Sequence, residues 1–335
     1  MQIISWIIST LLQWYVWMPI VAVLMFLTWR NYRKIEDFTP VESVLLILEI
    51  PRTNDKQELA AEQLFASLHG ILRDNKELRL SGGHQEHISF EIASVNGQIR
   101  FYVWVPKTLQ SFVEGQIYSQ YPTVQIHQAD EDYTEHERDH EVAYSTELAL
   151  TTDEFLPIRT FQNFEVDPLA GITGTLAKLE TTGEELWIQV LVRPIPDDWQ
   201  NAADRYINSI KNGRMFSLPG FGGSMQWLIG VLGALWQPPE QGANQSTAVE
   251  LSDRDKTRIS EAEKKATKLG YEVKIRLVYM GESQTNAKLR MQALVGTFKQ
   301  FNSTNLNGFR AVKGAFGKEF IDKYRKRSFI GDGFI

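Results

Sequence analysis

The chain contains no cysteine. That excludes disulfide staples, thiolate metal sites and cysteine nucleophiles together, and it fits a reducing compartment. Residues 1–29 contain no Asp, Glu, Lys or Arg. A second charge-free stretch covers residues 215–239. Two catalytic signatures are also missing. No Gly-x-Ser-x-Gly elbow presents a serine nucleophile. The segment Gly171-Ile-Thr-Gly-Thr-Leu-Ala-Lys178 fails the phosphate-loop pattern, because Thr175 follows Gly174 and Leu179 follows Lys178. No cofactor is implied. What the 335 residues do have is 43% hydrophobic and 11% aromatic side chains, enough for packed cores and too many for a disordered chain.

A membrane-crossing helix needs about 20 predominantly apolar residues, and residues 3–27 supply that length. Trp6, Trp14, Tyr15, Trp17 and Trp29 are rings of the kind that settle at headgroup depth, and Arg30, Arg33 and Lys34 follow at once. A secretory signal would need a basic start and a small-residue cleavage site, and neither is present. The expectation is a single-pass anchor in the inner membrane, with the N-terminus outside, lipid as a partner and residues 30–335 in the cytoplasm. The stretch 215–239 admits three readings: a helix lying on the bilayer or a partner, a buried hairpin, or a second span.

Charge is uneven. Residues 1–168 carry 12 Lys/Arg against 24 Asp/Glu, while residues 169–335 carry 23 against 17. The halves therefore attract one another, or the basic half approaches an anionic surface.

Periodicity organises the rest. Residues 44–50 form an apolar strand ended by Pro51, and Leu59, Leu64, Phe65, Leu68, Ile71 and Leu72 recur at helical spacing. Strands at 88–93 and 98–105 flank Asn96-Gly97, the strongest short hairpin signal. A helix over 107–119 and a strand over 123–127 complete the order strand–helix–strand–strand–helix–strand, the ferredoxin-like split βαβ arrangement. The style repeats after a charge-dense link. A strand lies at 142–150, a helix starts at Asp167-Pro168 as cap and first turn, and a strand lies at 186–192. Helices at 198–210 and 252–269, a strand at 273–280 and a helix at 286–298 follow. Tyr118-x-Gln120-Tyr121 and Phe298-x-Gln300-Phe301 end comparable helices, a faint internal echo.

The expected fold is α+β: an anchor (1–29), a juxtamembrane linker (30–40), a first ferredoxin-like module (41–129) and an acidic linker (130–141). A second such module (142–309) with its apolar insertion and a basic connector (310–335) follow.

Candidate chemistry is sparse. His84 and His87 bracket Glu86, a spacing that points opposite ways along a strand. His136 and His140 could share a helix face near Glu137, Asp139 and Glu141, a weak metal pair lacking the third and fourth ligands that zinc needs. Lys323, Arg325, Lys326 and Arg327 lie among Phe309, Phe316, Phe320 and Tyr324. Basic residues with interleaved rings can grip single-stranded nucleic acid; at helical spacing the same rings serve as core under a solvated basic face.

Three segments carry a resemblance: LLILEIPRTNDKQELAAEQLFASLHGI, ISFEIASVNGQIRFYVWVPKTLQSFVEGQIYSQYPTVQI and FQNFEVDPLAGITGTLAKLETTGEELWIQVLVRPI. Over most of residues 40–327 the chain resembles the membrane-anchored N-terminal region found ahead of FtsK/HerA-type motor ATPases of conjugation and type IV secretion. The resemblance implies a non-enzymatic scaffold that positions a DNA- or protein-translocating motor, with motor or other translocation subunits as partners and possible homo-oligomers. No catalytic residue is carried across, and no motor sequence is present. Two other readings remain open: a membrane-tethered metal-dependent hydrolase using His136 and His140, and a membrane-bound nucleic-acid-binding protein using the basic C-terminal segment.

Overall fold

The computed structural model describes residues 17–19, 21–26, 28, 42–51, 59–81, 83–135, 142–179, 183–211, 251–312, 314–317, 319–329 and 334–335. Its frame is one nine-stranded antiparallel sheet. The strands are β1 (Ser43–Glu49), β2 (Ile88–Val95), β3 (Gln98–Pro106), β4 (Gln125–Gln128), β5 (Val142–Leu150), β6 (Glu185–Pro194), β7 (Tyr271–Gly281), β8 (Phe309–Ala311) and β9 (Ala315–Phe316). They lie in the order β4-β1-β3-β2-β6-β7-β5-β8, with β9 beside β5.

This corrects the expectation of two separate modules behind an anchor. Each half of the sheet runs fourth–first–third–second in its own strands, and the halves meet where β2 pairs with β6 over seven positions, Ile88↔Val192 to Ser94↔Leu186. An edge on each half that would otherwise face water is closed by the other. No helix among the described residues is long and apolar enough to cross a membrane. The transmembrane helix and the single-pass inner-membrane placement are therefore withdrawn. Trp29, Arg30, Arg33 and Lys34, read as the membrane flank, lie outside the described residues, as does the 215–239 insertion.

Four helices cover one face: α1 (Leu59–Leu68), α3 (Gln110–Gln120), α4 (Pro168–Ala177) and α7 (Gln284–Phe298). The short α2 (Asn75–Leu80) is held by a capping box between Asp74 and Glu77. Asp167 caps α4 ahead of Pro168, and Ser283 caps α7. Alternation along the strands puts Val44, Leu46, Ile88, Val103, Val105, Ile188, Val192, Ile275 and Leu277 under these helices.

The helices reach across the join reciprocally. From the first half, Leu64 and Leu68 of α1 share a cluster with Val192 of β6, and Phe65 O accepts a hydrogen bond from Tyr271 of β7. From the second half, Ile172 and Leu176 of α4 share a cluster with Ile92 and Ile99, and Leu176 O accepts from Ser94 Oγ at 3.3 Å.

Asn96 and Gly97 both take positive φ, 53° and 73°, the turn that joins β2 to β3 in two residues. Where the first half has that turn, the second half has helices between β6 and β7. There α5 (Asp198–Lys211) and α6 (Asp253–Ala266) bury Trp199, Ala203, Tyr206 and Ile207 against Ile259 and Ala262.

Candidate functional site

The other face of the sheet carries a row of polar side chains across its centre. The register places Tyr102 beside Glu91, Glu91 beside Gln189, Gln189 beside Arg276 and Arg276 beside Glu147. Glu91, Gln189 and Arg276 are buried, an arrangement that demands partners. Most of those partners come from two segments far away in sequence: residues 129–135, and a strap formed by α8 (Glu319–Arg325) and residues 326–329.

Glu91 is the centre. Ser89 Oγ (2.7 Å), Gln189 Nε2 (2.9 Å) and Arg327 Nε (3.0 Å) donate to one carboxylate oxygen. Tyr133 Oη (2.8 Å) and Arg327 Nη2 (3.0 Å) donate to the other. Arg327 also grips Asp132, through Nη1 and the same Nη2, and Thr134 orients that carboxylate through its N–H and hydroxyl at 2.9 and 2.8 Å. Burial opposes charge on Arg327, but Glu91 and then Asp132 outweigh it and hold the guanidinium charged. Burial alone would raise the Asp132 carboxyl; Arg327 and Thr134 reverse that and hold it below the ordinary range. Tyr133 and Tyr324, bonded to each other at 2.8 Å, are pushed up by burial and then by the Glu91 charge.

The sheet also reads the backbone of the strap. Gln189 donates to Tyr324 O (3.1 Å), and Arg276 to Lys323 O (3.2 Å) and Ser328 O (2.6 Å). His87 Nε2 donates to Arg327 O at 2.7 Å, its ring stacked on Trp104 and tilted against Phe329. Burial takes the His87 imidazole down to about 4, so the ring is neutral. Tyr324 and Ile321 fill the apolar part of the seat beside Tyr102, Tyr133 and Trp187.

One backbone detail shows how far this seat determines its occupant. The end of α8 is a Schellman turn, with Ser328 N–H bonded to Lys323 O and Arg327 N–H to Tyr324 O. The position that normally takes glycine is Arg327, at φ 46°. A long side chain is tolerated in the left-handed region here, where its guanidinium is fully engaged.

Of the residues named for nucleic-acid contact, Arg327 is therefore corrected: it is 3% exposed and ion-paired, out of reach of a phosphate backbone. Arg325 and Lys326 are exposed, and Lys323 is half-buried with its ammonium over the Phe320 ring. His136 and His140 lie outside the described residues; among the described residues no group of side chains could hold a metal ion. Glu86 pairs with Arg73, so it does not converge with His87. The acidic link after β4 buries Tyr133 and Thr134. Sequence reasoning missed Glu91, Gln189 and Arg276. The signal available was three polar side chains at inward-facing positions of otherwise apolar strands.

The fold and the seat define an α+β protein whose two half-sheets are joined into one body and strapped by its C-terminal segment. The chain belongs to the family described as Domain of unknown function (DUF8128), which matches residues 42–330. No curated protein matches it.

Proposed function

We propose that the chain is a non-enzymatic scaffold that positions a DNA- or protein-translocating motor of the FtsK/HerA type and helps it assemble. The observation that carries this reading is the state of Glu91. Among the described residues five hydrogen bonds reach it, all from side chains of the same molecule, so the buried carboxylate at the centre of the site is occupied in holding its own chain's segments. Reciprocal helices on one face and the strap on the other join the halves into a stiff platform, as a positioning element requires. The resemblance of the three quoted segments supplies the motor as partner. A membrane tether forms no part of the proposal.

The test is affinity capture of the intact chain, with chemical cross-linking, from cells that express a motor ATPase of this type. Recovery of the motor in stoichiometric amount is expected. A chain recovered alone in repeated captures and strictly monomeric in solution would sink the reading.

A further inference from the structure

The strap lies in its seat in the way a peptide lies in a receptor. Three side chains, Gln189 and Arg276 of the sheet and His87 just before β2, donate to its backbone carbonyls. One cation, Arg327, enters an acidic pocket formed by Glu91 and Asp132. Two rings fill apolar pockets: Tyr324 beside Tyr133 and Trp187, and Phe329 between His87 and the Arg193 guanidinium, which lies 4.2 Å from the ring centre. Backbone reading combined with spaced side-chain anchors is how short segments are recognised in trans. The anchors here spell Tyr-x-x-Arg-x-Phe over residues 324–329. Just before the strap, the two-residue strand β9 and Gly317, at φ 132°, supply a short tie followed by a permissive pivot.

We infer that this face of the sheet is a peptide-binding groove whose ligand, residues 319–329, is exchangeable between two copies of the chain. Charge complementarity selects that occupant: the acidic pocket is built for the cation the strap itself carries. Exchange of an identical element costs little, because every contact made within one chain is remade between two. The inference stands apart from the motor reading, since strap exchange in the absence of any motor would satisfy one and leave the other untouched.

The experiment uses full-length chains and a charge swap. Glu91→Arg and Arg327→Glu each place like charges in the seat, so each alone is expected to melt several degrees lower than the wild type. Mixed in equal amounts, the reversed strap of one chain fits the reversed pocket of the other. A species of twice the chain mass by light scattering is expected, with the melting temperature restored. The double variant, Glu91→Arg with Arg327→Glu, should recover as a monomer. If it recovers and the mixture stays monomeric with a low melting temperature, the inference is overturned.

Should the reversed pair fail to recover within one chain, wild type decides. Tagged and untagged wild-type chains are refolded together at high concentration and then diluted. Co-capture of the untagged chain, lost when both carry Arg327→Glu, supports exchange; monomers alone overturn it.

Discussion

The two faces of the sheet hold the same join by different physics. On the helix face, α1 and α4 reach across the join from opposite sides, Leu64 and Leu68 clustering with Val192 of the second half and Ile172 and Leu176 with Ile92 and Ile99 of the first. On the open face, Glu91, Gln189 and Arg276 engage Arg327 and the strap carbonyls through charge and hydrogen bonds, and Asp132 completes the grip on Arg327. Apolar burial is roughly proportional to area and tolerant of small shifts. A buried ion pair adds little net stability when intact, yet losing one partner is severe because the other charge stays behind. The helix face thus supplies cohesion, and the open face dictates which segment sits there.

The sharpest way to break that contrast is Arg327→Ala. It leaves Glu91 and Asp132 buried without their cation, at an expected cost of about 3–5 kcal/mol. Chemical denaturation measures it, and a loss under about 1 kcal/mol would mean the open face holds no such pair.

Acid should act on the same face. His87 is held neutral by burial, its value taken down from 6.5 to about 4. The unfolded chain therefore binds a proton that the folded chain refuses between those values. Stability contributed by this ring is full above pH 6.5, falls as pH drops and levels off below about pH 4, a span on the order of 3 kcal/mol. Asp132, held low by Arg327, adds a loss in the same direction at still lower pH. Melting curves at pH 7.5 and 4.5 should differ clearly less in His87→Phe than in the wild type; equal slopes would remove His87 as the cause.

The smallest effect belongs to the helix face. Ser94→Ala removes the buried hydroxyl bond to Leu176 O, worth about 1 kcal/mol. A loss as large as that of Arg327→Ala would erase the distinction between the faces.

Local signals were legible in the sequence. Asn96-Gly97, the Asp167-Pro168 start and the alternation of 98–105 all report on residues a few positions apart, and the elements stand there. The β2–β6 join was invisible because pairing between two edges leaves no mark on either strand beyond alternation. The seat was harder still. Glu91 and Arg327 are 236 positions apart, and a basic run ending in Lys-Arg-Ser-Phe reads as a solvated surface until something shows which of its cations turns inward. The polar residues on β2, β6 and β7 were the only local hint.

The join at β2 and β6 has one more consequence. Because seven rungs of the ladder are shared between the halves, neither half is a portable unit. A fragment carrying either alone would bare a long, uncharged rim of amide and carbonyl groups, the template on which identical chains stack into fibrils. Expressing the whole stretch is what keeps each rim capped.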